Sequence, residues 1–273
     1  MYDFWFGTRE EIEQDPKKYL LAIKRMLPRW CNSIPDSEYL ALYDALSGWE
    51  LGDQPVLVET GSGSSTIMLA YFAVSRGGEL YTWDTNGSKL FYLRSVLNDT
   101  LMRCFTERNL ANHWKYVAYS SVAPFAGMGM LEELGKQVDA CFLDSEHTLD
   151  VLMRELAQVC TVMGRKGLVA IDDANYSYVS YNTAYINMIR KKHGLPPIEE
   201  HPNNTGRHFW EEVGDYLKAH FKRVEYVSDT YKTTYQQDIF WAYFRTDREA
   251  MSQMNMEKTA DLEHRFDAWK VFR

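Results

Sequence analysis

One feature constrains this chain more than any other. Short apolar runs that read as strands alternate with helical stretches, and most of the runs end in an acidic residue. The runs are Pro55–Glu59, Glu79–Asp84, Trp114–Tyr119, Val138–Asp144 and Lys166–Asp172. Between them, Thr66–Ser75, Lys89–Asn98 and Thr148–Val162 carry helical spacing, and Tyr178–Lys191 follows the last run. Strands alternating with helices predict parallel βαβ units, with helices covering both faces of one sheet. Glu59, Asp84, Asp144 and Asp172 then fall at the carboxyl edge of the sheet, where open α/β sheets bind ligands.

The rhythm changes after residue 208. Phe209–His220 reads as a helix, and Phe221–Val227 and Ile239–Phe244 read as strands with only a turn-rich stretch between them. That connection is too short for a helical crossover and predicts antiparallel pairing. The expected sheet has seven strands, five parallel plus a closing antiparallel hairpin. Residues 1–50 read as a helical N-terminal cap, 51–245 as the main domain with an insertion at 174–210, and 246–273 as a charged tail of helical character. The cap and the tail are the surfaces through which copies of the chain are expected to associate.

The 273 residues carry a net charge of −8, which disfavours general binding to phosphate backbones. No apolar run approaches the ~18–20 residues needed to span a bilayer, so no membrane partner is expected. The start lacks the basic and apolar regions of a secretory signal. Cys31, Cys104, Cys141 and Cys160 are widely spaced and read as free thiols rather than a disulfide framework or a zinc site. A cytoplasmic location is expected.

Val58-Glu59-Thr60-Gly61-Ser62-Gly63-Ser64-Ser65-Thr66 joins a strand to a helix. Glycines there let a ligand approach the backbone at a helix N-terminus. Thr66 stands where a dinucleotide fingerprint has its third glycine, and the lysine of a P-loop is missing. A carboxylate at Glu59 would repel a pyrophosphate and suits a cationic ligand. Asp84, at the end of the next strand, suits the hydroxyls of a ribose. A ligand with a ribose, a positive charge and no required phosphate fits S-adenosylmethionine.

The region from about 55 to 244 resembles a class I S-adenosylmethionine-dependent methyltransferase. The glycine turn, Asp84, Phe142–His147, Gly167–Asp173 and the final hairpin occur in that order. The pattern is most similar to small-molecule O-methyltransferases of the catechol, natural-product and sugar type, which have an acidic site at strands four and five. The resemblance implies a Rossmann-like, doubly wound α/β sheet of seven strands with the last antiparallel. It implies that Glu59, Gly61 and Gly63 contact the methionine end, that Thr60 and Ser64 donate to the cofactor carboxylate, that Asp84 holds the ribose, and that Tyr119, Ser120 and Ser121 lie beside the adenine. The alternative is that Ser64, Ser65 and Thr66 merely cap the helix.

Asp144, Glu146, His147, Asp172 and Asp173 gather at two strand ends that the resemblance makes neighbours. Carboxylates so close repel unless protonated or bridged by a cation, and oxygen donors select a hard one such as Mg²⁺. Metal-dependent O-methyltransferases place ligands where Asp144, Asp172 and Asp173 stand. His147 is the candidate general base, beside Asp144 as the second catalytic residue. The alternative is that Asp144 or Ser145 caps the next helix and His147 is a surface side chain.

The partner expected is a small-molecule hydroxyl acceptor, roofed by aromatics of the cap (Phe4, Trp5, Phe6, Trp30, Tyr39, Tyr43) and of the insertion (Tyr176, Tyr178, Tyr181, Tyr185, with His208). The Asn-Pro-Pro-Tyr type signature of amino-group DNA methylation is absent after strand four. A nicotinamide-dependent oxidoreductase and a noncatalytic S-adenosylmethionine-binding protein are the competing readings.

Overall fold

The computed structural model describes residues 7–146, 148–174, 187–188, 190–191, 193–197, 206–236 and 259–273. Three helices form the N-terminal cap: α1 (Arg9–Gln14), α2 (Pro16–Met26) and α3 (Asp36–Ser47). The chain marks their limits locally. The Asp15 side chain accepts the Lys18 N–H at the start of α2, with Pro16 in the first turn. Pro28 then holds Leu27 in the extended region that ends the helix.

Strands β1 (Val56–Thr60), β2 (Glu79–Trp83), β3 (Trp114–Val117), β4 (Val138–Leu143) and β5 (Met163–Ile171) follow. Between them lie α4 (Ser64–Arg76), α5 (Gly87–Asp99) and α6 (Leu149–Val162), and α7 (Phe209–His220) comes after β5. The last strands are β6 (Arg223–Gln236) and β7 (Thr259–Phe272). The sheet order is β3-β2-β1-β4-β5-β7-β6, parallel through β5 and antiparallel at β7. The seven-strand, mostly parallel sheet with an antiparallel closing hairpin is as expected.

Alternation along each strand divides the core in two. Leu57, Ala140, Phe142, Leu168 and Ala170 face α1–α5, while Val58, Cys141, Leu143, Val169 and Ile171 face α6 and α7. Helix α4 is sandwiched between sheet and cap, so residues 64–74 are all buried. All four cysteines are buried and free. Among the described residues no helix is long and apolar enough to cross a membrane.

The closing hairpin differs from the expectation in its second strand. Residues 239–244 lie outside the described residues. The strand that pairs with β6 and β5 is drawn from 259–272, a stretch read as part of a helical tail. Its physical signal is period two: Phe266 and Ala268 enter the cap-side core, and Trp269 and Val271 the other. The charged residues before it, and Lys270 within it, hide that alternation. The sheet, by supplying neighbours on both sides, overrides the weak local preference.

Candidate functional site

Register aligns the ends of the strands. Thr60 pairs with Trp83 and with Leu143, Trp83 with Val117, and Leu143 with Ile171. The residues that follow therefore meet at one edge. Gly61 N–H donates to Trp83 O at 2.8 Å, Asp144 N–H to Thr60 O at 2.9 Å and Asp172 N–H to Leu143 O at 3.1 Å. A cavity of about 300 Å³ opens there. Gly61, Asp84, Tyr119, Ser120, Ser121 and Asp144 line it, all of them anticipated. Ser33 of the cap, Ser62, Lys89 and Glu146 line it as well.

Gly61 is fixed as glycine twice over. Its φ is +77°, and an added Cβ would fall 1.6 Å from the Asp144 carbonyl oxygen. The turn after β1 is thus packed directly on the turn after β4. Gly63 has extended backbone, and its N–H donates to Thr66 Oγ1 at 3.0 Å; a Cβ there would come within 3.1 Å of the Cys31 carbonyl of the cap.

Glu59 lies beneath the turn and is fully buried, away from the cavity wall. Its carboxylate accepts from Ser65 Oγ at 2.6 Å, Thr66 Oγ1 at 2.8 Å and Thr82 Oγ1 at 2.9 Å. Thr66 Oγ1 takes the Gly63 N–H and Thr82 Oγ1 takes the Trp114 indole N–H, so both hydroxyls have their protons committed to Glu59. Burial pushes the carboxyl up to about 7 against the pull of these hydroxyls. In this structure the group shapes the turn from below. Thr60 is also buried and turned inward, to Glu155. Ser64 is 2% exposed, and among the described residues its Oγ has no hydrogen-bond partner.

Asp84 faces the cavity. Its Oδ2 accepts from Ser62 N–H at 2.9 Å, Ser62 Oγ at 2.6 Å and Lys89 Nζ at 3.1 Å, and its Oδ1 from Asn86 N–H at 2.7 Å. Burial pushes this carboxyl up, but the Ser62 and Asn86 bonds and the Lys89 charge outweigh it and hold it below its ordinary value. Lys89 also donates to Ser62 O at 2.9 Å, tying α5 to the glycine turn.

Of the acidic cluster, Asp144, Asp172 and Asp173 come together and Glu38, which the sequence reading did not name, joins them, while Glu146 is exposed. Glu38 of α3, 5% exposed, reaches across from the cap and hydrogen-bonds Asp172, and Asp144 hydrogen-bonds Asp172 from the other side. Burial first, then the charges of Asp172 and Asp173, push both Glu38 and Asp144 well above the carboxylate range. Lys24, the cation that acts on Glu38, is itself paired with Asp36 at 2.8 Å. Asp173 holds a positive φ of 51°, which Asp tolerates better than most residues. The donor chemistry suits a hard cation. Yet among the described residues no three acidic, cysteine or histidine side chains are grouped as a metal-ion site. His147 lies outside the described residues, as do Phe4, Trp5, Phe6, Tyr176, Tyr178, Tyr181 and Tyr185. Tyr39 is core: it is fully buried, and its hydroxyl donates to Leu20 O at 3.3 Å.

The stretch from β1 to the residues just past β5 matches the family model of a methyltransferase domain. The match spans residues 58–174. The matched stretch, less than half of the chain, contains the glycine turn, Asp84, Asp144, Asp172 and Asp173. No curated protein matches the chain in sequence.

Three solved structures illustrate what the chain is similar to. A precorrin-6y C5,15-methyltransferase from Geobacter metallireducens is 16% identical over 88% of this chain and 91% of its own, with a TM-score of 0.47. An O-methyltransferase from Bacillus cereus in complex with SAH is 14% identical over 100% of both chains, with a TM-score of 0.45. An rRNA methylase from Streptococcus thermophilus is 12% identical over 85% of this chain and 94% of its own, with a TM-score of 0.41. Likenesses this distant carry no argument about substrate.

Proposed function

We propose that the chain is an S-adenosylmethionine-dependent methyltransferase acting on a hydroxyl of a small molecule, sugar or natural product. The observation that carries the cofactor reading is the pairing of Gly61 and Asp84 on one cavity wall. Gly61 lets a ligand meet bare backbone, and among the described residues Asp84 Oδ1 accepts from Asn86 N–H alone, so acceptor capacity for a ribose hydroxyl remains. The cavity, about 300 Å³, is of the size that small ligands occupy.

S-adenosylmethionine supplies an electrophilic methyl group on a sulfonium. The chain's own groups hold and orient. Asp84 accepts from the ribose, and Tyr119, Ser120 and Ser121 form the adenine wall. Asp144 marks the reacting end and orients the acceptor hydroxyl. His147, three positions after Asp144, takes the hydroxyl proton. Glu59 acts from below, by fixing Ser65 and Thr66 and through them the turn. In-line transfer needs little beyond such positioning.

Magnesium assistance rests on the chemistry of Asp144, Asp172, Asp173 and Glu38 alone, oxygen donors of the kind that a hard cation selects. Copies of the chain would associate through the N-terminal cap or the C-terminal tail, residues 246–273.

The test is incubation with deuterium-labelled S-adenosylmethionine and a panel of hydroxyl-bearing small molecules, with and without chelator, read by mass spectrometry. A labelled methyl ether in any product supports the reading. Label on nitrogen or in RNA only overturns the hydroxyl assignment, and full turnover under chelation removes the metal.

A further inference from the structure

Glu155 is a buried acid that the reaction outlined above does not use. It stands on the inner side of α6 and is 1% exposed. Three hydroxyls from three different strand ends converge on it. Thr60 Oγ1, at the end of β1, donates to Oε2 at 3.1 Å; Ser121 Oγ, in the loop after β3, donates to Oε1; Ser145, after β4, is the third. Thr60 Oγ1 also accepts the Asp144 N–H at 3.2 Å, which leaves its one proton for Glu155. Ser121 in turn takes the Met128 N–H on its carbonyl at 2.7 Å and so closes the loop after β3. On its far side Glu155 borders a cavity of about 20 Å³, room for one water molecule, shared with Asp144 and Asp172.

We propose that Glu155 is the positioning residue of the cofactor site, its carboxylate locking the loops after β1, β3 and β4 to one another. Ser121, Asp144 and Ser145 all line the main cavity, so this lock sets the separation of its adenine wall from its reacting end. The inference rests on the S-adenosylmethionine reading for its ligand, but not for its geometry. A carboxylate suits the task because three donors need an acceptor that offers no proton in return. Glutamine keeps the shape and one acceptor oxygen, and a serine hydroxyl can rotate to receive its N–H.

The experiment pairs calorimetric titration of S-adenosylhomocysteine with amide hydrogen exchange on wild type, Glu155→Ala, Glu155→Gln, Ser121→Ala and the Glu155→Ala/Ser121→Ala double variant. Expected are a loss of about tenfold or more in affinity for Glu155→Ala, recovery of most of it in Glu155→Gln, and a double variant no weaker than Glu155→Ala alone. Exchange in the free protein speeds up over 118–128 in Glu155→Ala. Wild-type affinity in a folded Glu155→Ala, additive losses, or unchanged exchange overturns the proposal. Should Glu155→Ala not fold, Ser121→Ala and Thr60→Val carry the same comparison at near-wild-type melting temperature. Wild type that binds no S-adenosylhomocysteine overturns the cofactor reading instead, while exchange still tests the lock.

Discussion

The Glu38 carboxyl, carried by a helix of the N-terminal cap, hydrogen-bonds the Asp172 carboxyl at the end of the fifth strand. Two such groups share that bond only when one keeps a proton. Burial and the neighbouring aspartates raise Glu38 and Asp144 above their ordinary values, so the folded chain keeps protons that the unfolded chain releases. Stability therefore falls as pH climbs from the ordinary carboxyl range through the raised values. Glu38→Gln keeps the size of the side chain and an N–H for Asp172 and removes one of the titrations. Its melting temperature should decline less between pH 5 and pH 9 than that of wild type. Parallel curves would contradict shared protonation.

Magnesium acts on the same cluster from the other direction. A divalent cation that replaces the shared protons should raise the melting temperature at pH 8, and Asp172→Asn should abolish the rise. The check is thermal unfolding with magnesium against chelator.

Glu59 titrates separately, near pH 7. Its raised value means that its contribution to stability declines as pH rises from about 4.5 to about 7 and levels off above. Glu59→Gln should remove that part of the pH dependence and leave the part due to the cluster. The variant should also cost roughly 1–3 kcal/mol at pH 8, because an amide N–H then opposes a committed hydroxyl. Chemical denaturation at pH 5, 7 and 8 reads both effects.

Gly61→Ala places a methyl group into the Asp144 carbonyl, 1.6 Å away, on top of the ~1–2 kcal/mol strain of a left-handed backbone. The turns after β1 and β4 must then separate. Loss of cofactor binding with a large fall in melting temperature is expected, and an Ala variant that binds as wild type would contradict the packing described.

The site was legible where it is local. Gly61, Asp84 and Asp144 each follow a strand, and parallel register alone brings strand ends together. Glu59 was legible as a chemical group but not in its direction, because whether a strand-end side chain points to solvent or beneath a turn depends on the helix that packs there. Glu38, Lys89 and Glu155 come from helices. Each reaches the site through tertiary packing, and nothing in its neighbouring residues separates it from an ordinary surface acid or base. β7 was missed for a related reason. Ala268-Trp269-Lys270-Val271-Phe272 alternates, but its place between β5 and β6 is set by the sheet.

The central claim is that this cavity holds S-adenosylmethionine, and calorimetric titration of its product, S-adenosylhomocysteine, tests it most directly. Wild type should bind one molecule per chain, and Asp84→Asn should weaken that binding by about tenfold or more, as expected when a hydrogen bond to a charged group is lost. A folded wild type that gives no binding, or an Asp84→Asn variant that binds equally well, would contradict it.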